Sequence, residues 1–133
     1  MTPEERKQFL LTHRLAVVGM LRRQTSPQLS PVYYVMDGDD LLISTTATRA
    51  KAKAVQHDPR VSVCVLGEQP PFPYLTVYGR GRIETAGVVD LMVRIGEKMY
   101  GQPVPESMRP TIEERARNEQ RVVLRVTRES FYP

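Results

Sequence analysis

The stretch Ser44-Thr45-Thr46-Ala47-Thr48-Arg49-Ala50-Lys51 holds the most chemically suggestive residues of the chain. A β-favouring run, Leu41 to Thr45, ends in hydroxyl side chains, and an Ala- and Lys-rich segment follows from Thr46 to His57, so a strand should give way to a helix there. The first turn of a helix carries free backbone amides and the positive end of the helix dipole, which together attract an anion. Arg49 and Lys51 fall in that predicted turn. Each can add a charge-assisted hydrogen bond of ~1.5–3 kcal/mol to a phosphate or carboxylate. The same residues also fit a plainer role, in which the hydroxyls cap the helix and the cations form a solvated face.

Other candidates are less specific. Gly79 and Gly81 lie on the apolar face of an alternating segment, where they suit either the close approach of a flat ligand or a bend in a barrel. On the opposite face, Tyr78, Arg80 and Arg82 interleave an aromatic with cations, a pattern that also suits single-stranded nucleic acid. Phe72 and Tyr74 sit in a proline-rich loop and suit stacking on an aromatic ligand or anchoring of the loop. Cys64, in a valine-rich strand, reads as a core residue. His13 and His57 have no second ligand at metal-binding spacing, and the chain shows no Ser-His-Asp pattern, P-loop or complete dinucleotide fingerprint. Redox chemistry remains open to such a chain, because a cofactor carries the reaction and the protein positions it.

The elements that must position these residues follow from the pattern. Thr2-Pro3-Glu4-Glu5 predicts a capped helix start, running to about Thr12. Strands are expected over 15–21, 29–36, 41–45, 60–66, 75–84 and 121–127, with Asp37-Gly38-Asp39-Asp40 as a hairpin turn. Val88, Leu91, Met92, Ile95 and Met99 recur at helical spacing and predict an amphipathic helix over 87–100, and a charged helix follows around 111–119. Strands joined mostly by short turns, with helices appended, point to a mainly β antiparallel barrel of one domain spanning 1–133.

Length and charge narrow the function. At 133 residues the chain can bury a core without disulfides or a structural metal, and its single cysteine suits a reducing cytoplasm. Its longest apolar run, 15–21, is far short of a membrane span, and its polar start does not resemble a signal peptide. The net charge is +4, with 15 of the 19 basic residues being arginine, which favours bidentate contact with small anions over binding of long nucleic acid.

Four segments taken in order, Leu-Ser-Pro-Val-Tyr-Tyr (29–34), Leu-Leu-Ile-Ser-Thr-Thr-Ala-Thr-Arg-Ala-Lys (41–51), His-Asp-Pro-Arg-Val-Ser (57–62) and Val-Tyr-Gly-Arg-Gly-Arg-Ile (77–83), resemble the pyridoxamine 5'-phosphate oxidase-like split β-barrel superfamily. Within it the chain is most similar to the B-type flavin/deazaflavin oxidoreductases, which use coenzyme F420. The resemblance implies a homodimer of split barrels with the cofactor in a groove built by both subunits. It places the cofactor phosphate against Ser44, Thr45, Thr46, Arg49 and Lys51, and the ring system along Ser30, Pro31, Val32 and Tyr33. Phe72, Pro73 and Tyr74 would reach in from the other subunit, with Phe72 in place of a tryptophan that relatives often carry. The implied chemistry is hydride transfer from reduced F420 to a small electrophilic or conjugated acceptor, with Tyr33, Tyr78 or solvent as the proton source. Two alternatives remain at this point: an FMN-dependent enzyme of the same fold, and a non-catalytic cofactor carrier or nucleic-acid-binding barrel.

Overall fold

The computed structural model describes all 133 residues. Helix α1 (Pro3–Thr12) begins as its sequence dictates, with the Thr2 hydroxyl accepting from the Glu5 amide and the Glu5 carboxylate accepting from the Thr2 amide. The strands are β1 (Leu15–Met20), β2 (Gln28–Asp37), β3 (Asp40–Thr46), β4 (Arg60–Leu66), β5 (Tyr74–Glu84) and β6 (Arg121–Tyr132). Helix α2 (Ala50–His57) joins β3 to β4, while α3 (Val88–Tyr100) and α4 (Arg109–Asn118) join β5 to β6. All neighbouring strands are antiparallel, and they close a barrel in the order β1-β2-β3-β6-β5-β4.

Alternation decides what fills the barrel. Ala16, Val18, Leu41, Ile43, Val61, Val63, Val65, Leu75, Val77, Leu124 and Val126 point inward. Phe9 and Leu10 of α1 plug one end, and Ala54 and Val55 of α2 plug the other. Tyr34, fully buried among them, donates from its hydroxyl to the Leu10 carbonyl at 2.6 Å, which locks α1 to β2. Outside the barrel, Leu91 of α3 packs with Val35, Leu42 and Val123, with Val88 and Ile95 beside them.

Two features of the sequence acquire their reason here. A Cβ at Gly79 would stand 2.2 Å from the Thr127 carbonyl, and one at Gly81 would stand 2.6 Å from Val55 Cγ2. These glycines therefore serve the β5–β6 bulge and the seating of α2, rather than the approach of a ligand. The last strand runs to Tyr132, five residues past the predicted end, because Ser130 to Tyr132 go on pairing with β5 beyond the bulge. Cys64 faces outward and is half-buried, against the expectation of a core position, since Val63 and Val65 take the inward sites of β4.

The barrel is nearly split along one seam. Strands β2 and β3 pair only from Tyr34↔Ile43 to Asp37↔Asp40. Before Tyr34, β2 pairs with β1, and after Ile43, β3 pairs with β6. The edge at Ser30 to Tyr33 and the edge at Ser44 to Thr46 thus face each other without a ladder between them.

Candidate functional site

A groove of about 390 Å3 occupies this seam. Pro31, Val32 and Tyr33 form one wall, Ser44 and Arg121 the other, and Arg49 and Lys51 close the end. Six of the residues expected from the sequence therefore come together, namely Pro31, Val32, Tyr33, Ser44, Arg49 and Lys51. Ser30 joins them by accepting a hydrogen bond from Lys51 Nζ at 3.3 Å across the seam.

Lys51 is the centre of the electrostatics. It is only 9% exposed, and Ser30 Oγ is its one hydrogen-bond partner. Burial, then the nearby Arg49 and Arg121, hold its ammonium below the ordinary lysine range. A buried cation among cations is costly unless an anion offsets it. Arg121, opposite Thr46 on β6, bonds Glu119 at 2.8 Å and reaches to 3.4 Å from Ser44 Oγ. Arg115 of α4 lines the same end of the groove. The arrangement fits a phosphate-bearing cofactor in charge, donor type and size.

The helix expected from Thr46 starts later. Helix α2 begins at Ala50, with Arg49 as an extended N-cap and no side-chain cap, while Thr46 to Thr48 form a turn closed by Arg49 N–H to the Thr46 carbonyl at 3.1 Å. The Ala47 amide is already used by the Gln120 carbonyl at 2.9 Å. Thr45 shares the inward row of Leu41 and Ile43 and is fully buried, so its hydroxyl is not presented to the groove. Thr46 is also buried and does not line the groove; both hydroxyls lack a partner.

Tyr33 lines the groove, whereas Tyr78 lies in a separate depression with Gly19, Leu29, Arg60 and Glu129. Phe72, Pro73 and Tyr74 do not line the groove of their own chain. Of the cations that suggested nucleic acid, Arg80 pairs with Glu129 at 3.4 Å and Arg82 with Glu84 at 3.0 Å.

The sequence reading missed Arg121, Arg115 and the apolar lip. Met92, Ile95, Gly96, Met99 and Tyr100 of α3 form a helical stripe over the groove. Their signal was present in the breadth of the α3 apolar pattern, wide enough for one edge to cover the barrel and the other to face the seam. Arg94 and Arg14 pin the helix by donating to the Met36 and Met99 carbonyls, and Arg14 also bonds Glu68 at 3.0 Å.

A six-stranded barrel opened along one seam, with cations at one end of the opening and apolar side chains along it, defines a split barrel. The chain belongs to the pyridoxamine 5'-phosphate oxidase family, whose profile matches residues 2–133. No curated protein sequence matches it. Among solved structures it is similar to the conserved hypothetical protein Rv2991 from Mycobacterium tuberculosis, with a TM-score of 0.84 at 20% identity, over 98% of this chain and 82% of that one. It is similar also to an F420 reductase, with a TM-score of 0.75 at 21% identity, over 95% and 94% of the two chains. The haem storage protein HutZ from Vibrio cholerae shares the fold too, with a TM-score of 0.69 at 14% identity, over 98% and 92%.

Proposed function

We propose that the protein is an F420-dependent reductase that binds the cofactor phosphate at Arg49 and Lys51 and serves hydride transfer to a small conjugated acceptor. The observation that carries this reading is the buried ammonium of Lys51, which has no carboxylate partner and lies near the guanidiniums of Arg49 and Arg121. The split-barrel seam and the likeness to an F420 reductase support it.

When bound, the reduced deazaflavin supplies a hydride to the electrophilic carbon of the acceptor. The chain's residues do the rest. Arg49 and Lys51 hold the phosphate, and the Pro31-Val32-Tyr33 edge orients the ring. Met92, Ile95 and Met99 keep water from the reacting face. Tyr33, which lines the groove, would give the acceptor its proton, with solvent as the alternative.

A second copy of the chain completes the site in this reading. Register places Leu29, Pro31 and Tyr33 of β2, Leu15, Val17 and Gly19 of β1, Ser62, Cys64 and Leu66 of β4, and Tyr74, Thr76 and Tyr78 of β5 on one outer face. None of these is charged, in a chain with 26% charged residues, Leu29 is 67% exposed, and Arg60 and Arg80 bound the patch at one edge. Pro31 and Tyr33 belong to both this face and the groove, so a partner seated here borders the cofactor. The exposed Phe72 and Tyr74 would come from that partner.

The test is a fluorescence titration of the pure protein with F420 and with FMN, repeated on Arg49→Ala and Lys51→Ala. Tight F420 binding that weakens in both variants is expected. Preference for FMN would move the protein to the flavin branch of the fold, and unchanged affinity in both variants would remove the site.

A further inference from the structure

The four cations of the groove fall into two unlike pairs. Arg49 and Lys51 have no carboxylate partner, and Lys51 spends its one hydrogen bond on Ser30. Arg115 and Arg121 share a single acid. Glu119 accepts from Arg115 Nε at 3.1 and 3.2 Å and from Arg121 Nε at 2.8 Å. Both guanidiniums hold the carboxyl below its ordinary range, so it is an anion at neutral pH.

The placement of Glu119 is set by the fold. It is the C-cap residue of α4, two residues before Arg121 opens β6, so the turn between helix and strand fixes carboxylate and guanidinium on the same side. Its side chain is 38% exposed, while that of Arg121 is 11% exposed. The buried partner has little room to leave, and the acid has room to swing out. As a stabilising ion pair, a half-exposed contact of this kind contributes little. Its larger consequence is for the groove, because it neutralises the donors that would otherwise meet a second anionic group of a ligand.

We infer that Glu119 is an internal competing anion: by pairing with Arg115 and Arg121 beside the groove it engages their charge, leaves a single phosphate to the Arg49–Lys51 half, and releases them only to a ligand with a further negative group. Glu119 is thus a positioning residue that sets how many anionic groups the site takes. This rests on the groove being an anion site, and it adds which half is pre-filled.

The experiment compares inorganic phosphate with pyrophosphate by isothermal titration calorimetry, on the wild-type protein, Glu119→Gln and Glu119→Asp. Releasing two guanidiniums restores at least one charge-assisted hydrogen bond to the second phosphoryl group. Glu119→Gln should therefore tighten pyrophosphate about tenfold, and phosphate by about threefold or less. Glu119→Asp keeps the charge and should keep the wild-type ratio of the two affinities. A merely structural Glu119 would change melting temperature and leave that ratio fixed in Glu119→Gln, which would overturn the inference while the groove stands. Failure of every protein to bind either anion would overturn the groove reading and this inference together, and phosphate binding lost in Arg49→Ala but a ratio raised in Glu119→Gln would support both.

Discussion

Replacing Lys51 with methionine should make the protein more stable and a poorer binder at once. Lys51 is 9% exposed, and burial and two neighbouring cations depress its ionisation. Methionine preserves the length and apolar bulk of the side chain and deletes the charge. Exchanging a buried, unneutralised ion for a packed apolar group is worth ~1–4 kcal/mol, and loss of the Ser30 contact costs ~0.5–1.5 kcal/mol. A net gain of ~1 kcal/mol follows, which raises the melting temperature of a domain this size by about 3–5 °C. The same change removes an ammonium from the anion site and should weaken a phosphate-bearing cofactor by about 10- to 100-fold. The pH dependence has a definite sign. A lysine held below its unfolded value of 10.5 penalises folding in full below its folded value, and the penalty fades as pH rises toward 10.5. The stability gap between variant and wild type should therefore close in alkaline buffer. Scanning calorimetry across pH and a cofactor titration measure both effects. A variant that melts below wild type at pH 7 and binds the cofactor as tightly would refute the reasoning.

Three further outcomes are expected. Lys98 lies 4.0 Å from the Tyr34 ring centre and is pushed down to about 8 by burial and by Arg94, so wild type should gain stability relative to Lys98→Met between about pH 8 and 10.5, as thermal melts across pH would show. Gly79→Ala should destabilise by ~3 kcal/mol or more, because its Cβ meets the Thr127 backbone carbonyl at 2.2 Å, whereas Gly81→Ala presses on the side chain of Val55 and should cost less in chemical denaturation. Thr76→Arg puts a charge within the outer patch of uncharged residues and should turn a sedimenting dimer into a monomer with unchanged circular dichroism; a wild-type monomer would remove the proposed shared site.

Much of the local structure was legible because short-range rules govern it. The capping box at Thr2 and Glu5, the Asp37 to Asp40 hairpin and the alternating strands follow from side chains acting on their own backbone. Arg49 and Lys51 stood out because cations next to a strand end suit an anion, and the groove does contain them. Where α2 starts was misread by four residues, since the chain after Thr46 first spends its amide on Gln120, a residue of the distant α4–β6 turn.

The site itself belongs to the tertiary structure. Ser30 and Lys51 are 21 positions apart, and Ser44 and Arg121 are 77 apart, yet both pairs meet across one seam. No periodicity in the sequence announces that β2 leaves β3 after four rungs, or that Thr45 turns inward while Ser44 faces the opening. Side-chain type fixes what each residue can bind. Which residues share a site is decided by strand register, and register depends on the summed packing of the whole barrel.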